Sequence, residues 1–173
     1  MIRLTKYVQA PLQRSSEWDQ VSRIADDLHA FLNKPSTLAA IETANQPGES
    51  SASIQETFLD FASNLGFESE KKGLFADLNL ALRPDYYRAL DESGILLEVE
   101  RGKTTINNMD LLDFWKCHLC PGANYLFLLV PQALRQNPAM KPRDEFATVE
   151  RRLAQFFVEG SFTNVRGLCL FGY

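Results

Sequence analysis

The sequence has 173 residues, of which 45% are hydrophobic and 23% are charged, and its formal net charge is −4. This composition is typical of one globular domain with an ordinary core, which requires neither disulfides nor a structural metal. The negative net charge excludes a general attraction to nucleic acid, so any DNA binding must depend on a local basic patch.

The cysteine count and the apolar runs predict where the chain resides. Three cysteines, an odd number, form no complete disulfide framework and indicate a reducing, cytoplasmic compartment. The N-terminus lacks the apolar segment of a signal peptide, and the longest apolar run, residues 125–130, is far too short to span a bilayer. We therefore expect no membrane association.

The first 48 residues are predicted to form a helical appendage. Apolar residues recur at helical spacing over residues 17–33, and a second short helix is predicted over residues 36–45. Residues 46–53 are rich in Gly, Pro and Ser and have the composition of a linker. The main domain is accordingly predicted to cover residues 49–173.

The main domain is predicted to be α/β, with a mixed sheet flanked by helices. A helix ending at Gly66 is followed by a weak first strand within 67–81 and by strands at 83–90 and 95–101. A helix then starts at Thr104 or Thr105 and ends before Pro121. The run 125–130 has the continuous apolar character of a strand buried on both faces. A helix over 145–159 and a strand over 167–173 complete the order.

The strands at 83–90 and 95–101 bring three acids onto one face of a hairpin. Glu98 and Glu100 are two residues apart in a strand and so point the same way. With residues 91–94 as the loop, the pairing places Tyr87 opposite Glu98 and Asp85 opposite Glu100. We therefore expect Asp85, Glu98 and Glu100 to converge, and any loop of even length preserves this outcome.

Three carboxylates so close together repel one another unless they share protons or bind a divalent cation. Oxygen ligands without a nearby pair of histidines favour Mg²⁺ or Mn²⁺ over zinc. An alternative left open by the sequence is a solvated edge at which Arg83, Arg88 and Arg101 neutralise the acids.

The hairpin carries two short motifs on consecutive strands, Pro84-Asp85 and Glu98-Val99-Glu100. Together with the order of elements over residues 53–173, they resemble the signature of the PD-(D/E)xK nuclease superfamily. This resemblance implies a restriction endonuclease-like core, with element order αβββαβ, and a Mg²⁺-dependent or Mn²⁺-dependent nuclease that cleaves DNA.

The resemblance also implies roles for individual residues. Asp85 and Glu98 would bind the metal ion. Glu100 stands where the signature has lysine, and it would be a further ligand or would orient the attacking water. The missing cation would come from Lys103 or from Lys116 on the following helix. Glu56, on the helix before the sheet, is a further candidate metal ligand.

Other features leave alternatives open. Basic residues flank the hairpin at Lys71, Lys72, Arg101 and Lys103 and recur later in the chain, and they could contact phosphate or simply be solvated. Cys117 and Cys120 form one Cys-x-x-Cys pair, which could bind a metal in a regulatory domain. A catalytically inactive nuclease-fold module that binds nucleic acid or protein is the main alternative function, and a homodimer is compatible with either.

Overall fold

The computed structural model of the protein describes residues 1–69, 73–78, 80–134 and 141–173. Within these ranges, no helix combines the length and the apolar character that crossing a bilayer would require.

The core of the fold is a mixed six-stranded sheet. Its strands are β1 (Arg3–Val8), β2 (Glu68–Ser69), β3 (Tyr86–Ala89), β4 (Gly94–Val99), β5 (Tyr125–Val130) and β8 (Gly167–Gly172). Their order across the sheet is β1-β8-β5-β4-β3-β2. Strands β4, β5 and β8 run parallel at its centre, whereas β1, β3 and β2 add antiparallel edges. A separate two-stranded ribbon joins β6 (Ala133–Leu134) to β7 (Arg143–Asp144).

Helices cover both faces of the sheet, as the sequence predicts. They are α1 (Ser16–Leu32), α2 (Pro35–Ala44), α3 (Ser51–Glu56), α4 (Leu59–Asn64), α5 (Met109–Leu119) and α6 (Glu145–Leu153). A 3-10 turn at residues 154–157 continues α6. The helix predicted before Gly66 is interrupted at Thr57 and Phe58, which separate α3 from α4.

The first 48 residues contribute to the sheet as well as to the helices. Strand β1, which the sequence analysis missed, pairs antiparallel with β8 along its whole length. Trp18 and Leu28 of α1 lie in the same buried cluster as Phe127 of β5. Residue 48 is therefore not a boundary of either the sheet or the hydrophobic core, and the segment before it is more than a helical appendage.

The sheet separates two hydrophobic cores. Alternate residues of β4 point to opposite faces, so Leu97 packs with α1 and α4 while Leu96 packs with Phe114 of α5. All six residues of β5 are buried, as the continuous apolar run predicts. The face covered by α5 and α6 is the one on which Glu98 lies.

The pairing of β3 with β4 corrects the predicted register. Tyr87 lies opposite Leu96 rather than Glu98, a shift of two residues along the partner strand. A shift by two leaves every side chain on its expected face, because the period of a strand is two residues. Asp85 is therefore adjacent to Glu98 instead of Glu100, and the three acids still share one face.

Candidate acidic site on the hairpin and helix α5

Hydrogen bonds to the backbone hold Asp85 beside β4. The carboxylate of Asp85 accepts a hydrogen bond from the backbone N–H of Val99 at 2.8 Å, and the backbone N–H of Asp85 donates to Glu98 Oε2 at 3.3 Å. Burial raises the pKa of Asp85, and the bond from Val99 opposes that rise. These two hydrogen bonds thus hold Asp85 against the C-terminal end of β4, although Asp85 immediately precedes β3 and is not part of that strand.

Lys116 of α5 is the central cation of the site. Its Nζ lies 2.8 Å from Glu98 Oε1 and 2.9 Å from Asp113 Oδ1. All three residues are buried, with relative exposures of 8% for Lys116, 2% for Glu98 and 0% for Asp113. Although burial lowers the pKa of the lysine, the two carboxylates outweigh burial and raise that pKa above its ordinary value. Lys116 is therefore a buried ammonium ion held by acids from two elements.

Glu100, just after β4, and Asp113 of α5 are neighbours in the site, and each carboxyl group perturbs the pKa of the other. Burial and the neighbouring Asp113 raise the pKa of Glu100 to about 8. Burial also raises the pKa of Asp113, to about 6, although Lys116 counteracts that rise. Near neutral pH these pKa values favour a proton on Glu100 over a proton on Asp113.

Glu98 is the most enclosed acid of the hairpin. Burial raises its pKa well above the ordinary value, Asp113 and Asp85 add to the rise, and Lys116 opposes it. We call Asp85, Glu98, Glu100, Asp113 and Lys116 the acidic cluster. It combines four carboxyl groups with one ammonium group.

The structure brings together the three acids expected from the sequence and separates two other candidates from them. Lys103 is exposed in the loop after β4, and no contact between it and the acidic cluster is present among the described residues. Glu56 is exposed on α3, whereas its neighbour Gln55 hydrogen-bonds to Asp85 and accepts a bond from the Tyr86 hydroxyl at 2.9 Å. Lys71 and Lys72 lie outside the described residues.

The three arginines that the sequence offered as counter-ions have other positions. Arg88 donates to the backbone carbonyl of Leu65, and Arg101 donates to the carbonyls of Gln46 and Glu49, which fixes the predicted linker. Arg83 is exposed, and its backbone carbonyl accepts a bond from Lys116 at 3.3 Å. The counter-ion of the buried acids is therefore Lys116.

Sequence reasoning missed Asp113 and Gln55. A usable signal for Asp113 was its position three residues before Lys116, because residues at that spacing meet on one side of a helix. Phe114 and Cys117 mark the same region of α5 as buried, so charges there had to be paired. Nothing in the sequence distinguishes Gln55 from the other polar residues of its helix.

A second buried network secures the loop between β4 and α5. Asp110 at the start of α5 pairs with Arg152 at 3.3 Å, and Glu145 of α6 pairs with Arg143 at 2.7 Å. Arg143 also donates to the hydroxyl of Thr105, and Arg152 donates to the backbone carbonyl of the same residue. These bonds tie the loop and α5 to α6, so the helix that carries Asp113 and Lys116 has a fixed position.

The acidic cluster has the donor atoms and the negative charge that suit a hard divalent cation, but its carboxyl groups are not arranged around one cation position. Its donors are carboxylate oxygens, which Mg²⁺ and Mn²⁺ prefer. Yet among the described residues, no group of three or more His, Cys, Asp or Glu side chains is arranged so that it could hold a metal ion. The Lys116 ammonium already occupies the space between Glu98 and Asp113.

Comparison with known proteins gives a limited result. No protein-family model matches the chain, and no curated protein matches it. The crystal structure of restriction endonuclease BglII complexed with a DNA 16-mer is similar to this structure with a TM-score of 0.48 and 11% sequence identity. That match covers 99% of this chain and 77% of the other. Likeness at this level does not assign the chain to a family.

Proposed function

We propose that the protein is a metal-dependent nuclease that hydrolyses DNA phosphodiester bonds at the acidic cluster. The observation that carries the proposal is the grouping of four carboxyl groups of raised pKa around one ammonium group, at the end of a central strand. Perturbed acids gathered in this way are typical of functional sites.

The charge balance of the acidic cluster supports a cation site. If all four carboxyl groups were ionised, Lys116 would neutralise only one of them. Burial and mutual repulsion raise the pKa values of these carboxyl groups, which favours the retention of protons in the acidic cluster. A divalent cation would replace retained protons and would therefore bind more tightly as the pH rises.

Each member of the acidic cluster has a proposed role. Asp85 and Glu98 would hold the cation, which would polarise the scissile phosphate and lower the pKa of a bound water. Glu100, whose pKa is about 8, would accept a proton from the attacking water once cation binding has displaced its own proton. Lys116, released from Glu98, would neutralise charge on the phosphate. Asp113 would keep Glu100 oriented.

The substrate is proposed to be DNA, bound by a local basic surface. Arg83 and Lys103 are exposed on either side of the residues that carry the hairpin acids. Because the net charge is −4, the attraction must be local and must weaken steeply with salt. We place this activity in the cytoplasm, with which three buried cysteines that form no disulfide are compatible.

The position of Lys116 favours a second candidate function. Its ammonium group already pairs with both Glu98 and Asp113, which is the arrangement of a site closed by an internal cation. On this alternative the protein is a catalytically inactive nuclease-fold domain that binds nucleic acid or protein.

Cleavage and metal binding, measured separately, distinguish the two functions. Wild-type protein should cleave DNA with Mg²⁺ or Mn²⁺ and should bind Mn²⁺ in paramagnetic resonance or calorimetric titrations. Glu98→Gln should lose both properties, and Glu100→Gln should lose cleavage by about a hundredfold or more. Glu56→Gln is a matched control that should retain cleavage, because Glu56 is exposed on α3 and lies outside the acidic cluster.

Two results would favour the inactive module. A wild-type protein that binds no Mn²⁺ at millimolar concentration would exclude the metal site. A protein that cleaves nothing but binds DNA with a steep salt dependence would retain the fold and the partner without the reaction.

If Lys103→Ala abolished cleavage while Lys116→Met did not, Lys103 would be the functional lysine instead of Lys116.

A further inference from the structure

Arg143, the first residue of β7, has a guanidinium group that is held in place and still reaches solvent. Its Nη2 atom lies 2.7 Å from Glu145 Oε1 and donates a hydrogen bond to the Thr105 hydroxyl at 2.6 Å. The side chain of Glu145 is 1% exposed, whereas that of Arg143 is 40% exposed. Within the described parts of the chain, no contact uses Nε or Nη1 of Arg143. A buried acid therefore orients a guanidinium whose other donors can bind an anion.

The neighbouring Arg152 shows what a purely structural arginine looks like here. Its Nε pairs with Asp110 at 3.3 Å, its Nη1 donates to the carbonyl of Thr105, and its Nη2 donates to Asn108. All three nitrogens of Arg152 thus have a protein partner, and its side chain is only 24% exposed. Arg143 differs in both respects, so its role in fixing the loop before α5 does not account for the whole guanidinium.

A small groove with a second cation lies next to Arg143. Leu134 of β6 is the strand partner of Arg143, and Leu134 and Lys103 both line a groove of about 250 Å³. Among the described residues that line it, Glu49 is the only acid, and Arg101 and Lys103 are both cations. Lys103 is exposed and makes no ion pair with any described residue. This corner of the protein is therefore locally basic although the chain as a whole is acidic.

The groove lies close to the acidic cluster. Lys103 follows Glu100 by three residues, so their Cα atoms are at most about 11 Å apart. On α5, Asp110 of the arginine network precedes Asp113 of the acidic cluster by three residues, a rise of about 4.5 Å along the helix axis. A nucleic-acid strand whose scissile phosphate lay at the acidic cluster would bring its neighbouring phosphates to this distance.

We propose that Arg143 and Lys103 bind a backbone phosphate of the DNA strand next to the scissile phosphate. The planar fork of a guanidinium matches the oxygen atoms of a phosphate, and the ammonium group adds a point charge. Glu145 and Thr105 act as positioning residues, because they fix the direction of the fork. This inference rests on the proposed DNA substrate, but it does not require that the protein cleaves it.

The salt dependence of DNA binding tests the phosphate contact. A short DNA duplex is titrated with protein in EDTA, so that no cleavage occurs, over a series of salt concentrations. Arg143→Met should weaken binding about tenfold at low salt and reduce the slope of log Kd against log salt by about 0.9, the value for one phosphate contact. Arg151→Met is the matched control. It removes the same charge from an exposed position on α6 and should change the affinity less than about twofold. Equal effects of the two variants would mean that only net charge matters and would overturn the proposal.

Two milder variants test the orientation of the guanidinium. Arg143→Lys keeps the charge but loses the fork, and Thr105→Val removes the hydroxyl that accepts from Nη2 without any change of charge. Each should weaken DNA binding about threefold, the effect of one lost hydrogen bond, and Thr105→Val should leave the salt slope unchanged. Wild-type affinity in both variants would overturn the oriented phosphate site.

Inorganic phosphate distinguishes a strand phosphate from a free one. Calorimetric titration of wild-type protein with inorganic phosphate should show no binding below about 1 mM, because a single phosphate gains only the contacts of this one small site. Binding of inorganic phosphate that depends on Arg143, together with unchanged DNA affinity of Arg143→Met, would overturn the assignment to DNA. A wild-type protein that binds no DNA at low salt would overturn it as well. A protein that cleaves nothing but shows the Arg143-dependent salt slope would refute the proposed reaction and support the phosphate site.

Discussion

Replacing Lys116 by methionine should destabilise the protein in a strongly pH-dependent way. Methionine keeps most of the volume of the lysine stem but removes the ammonium group that lies 2.8 Å from Glu98 and 2.9 Å from Asp113. Removing one partner of a buried ion pair costs about 3–5 kcal/mol, because the remaining charge is left without compensation.

The destabilisation caused by Lys116→Met depends on whether the acidic cluster can compensate for the lost positive charge. It can do so by protonating one carboxylate, which removes one uncompensated negative charge. Protonating a carboxyl group of ordinary pKa near 4 costs about 1.4 kcal/mol for each pH unit above that value. At pH 5 this limits the destabilisation to about 1.5 kcal/mol, whereas at pH 8 protonation offers no relief and the cost should reach about 4 kcal/mol.

Urea unfolding of Lys116→Met at pH 5 and at pH 8 measures both values. Lys103→Met is the control for removing an exposed lysine and should change the free energy of unfolding by less than about 0.5 kcal/mol. Adding Glu98→Gln to Lys116→Met should recover most of the stability at pH 8, since it removes one of the uncompensated charges. Equal destabilisation of Lys116→Met at the two pH values would mean that the loss comes from packing, and the electrostatic reasoning would be refuted.

Three further predictions follow from the same geometry. Lys116→Met should bind Mn²⁺ at least about tenfold more tightly in calorimetric titrations, because a competing positive charge is gone. The unfolding free energy of wild-type protein should fall as the pH rises from 5 to 8, by up to about 1.4 kcal/mol per pH unit for each extra proton held. The sign follows because Glu100 and Asp113 have folded-state pKa values of about 8 and 6, so the native state keeps protons that the unfolded chain has released. Denaturant titrations should show Glu100→Gln flattening the upper part of this curve, and a rise with pH would contradict the assignment. Gly94→Ala should cost about 1–3 kcal/mol in the same assay, because its Cβ would lie 2.6 Å from the carbonyl oxygen of Gly122, whereas Gly122→Ala should cost less because its nearest contact is 3.4 Å.

The sequence by itself determined the central part of the fold and the side of the hairpin on which the acids lie. The apolar run at residues 125–130, which no polar residue interrupts, predicted a strand buried on both faces, and β5 is that strand. The acids of the hairpin shared a face even though the predicted register was displaced by two residues. That prediction was robust because side-chain direction in a strand depends only on whether a shift is odd or even.

The edge strand β1 and the contents of the site were decided only by the tertiary structure. Residues 3–8 carry a mixed polar and apolar pattern, and they form a strand because β8 offers an unpaired edge for hydrogen bonding. The choice between Lys103 and Lys116 depended on where α5 crosses the sheet, which places the second ammonium against Glu98 and leaves the first exposed. Asp113 of α5 joined the acidic cluster for the same reason, and the packing of α3 against the hairpin brought Gln55 to Asp85. Contacts between elements far apart in sequence arise from packing, whereas a local pattern of residues fixes only the face on which each side chain lies.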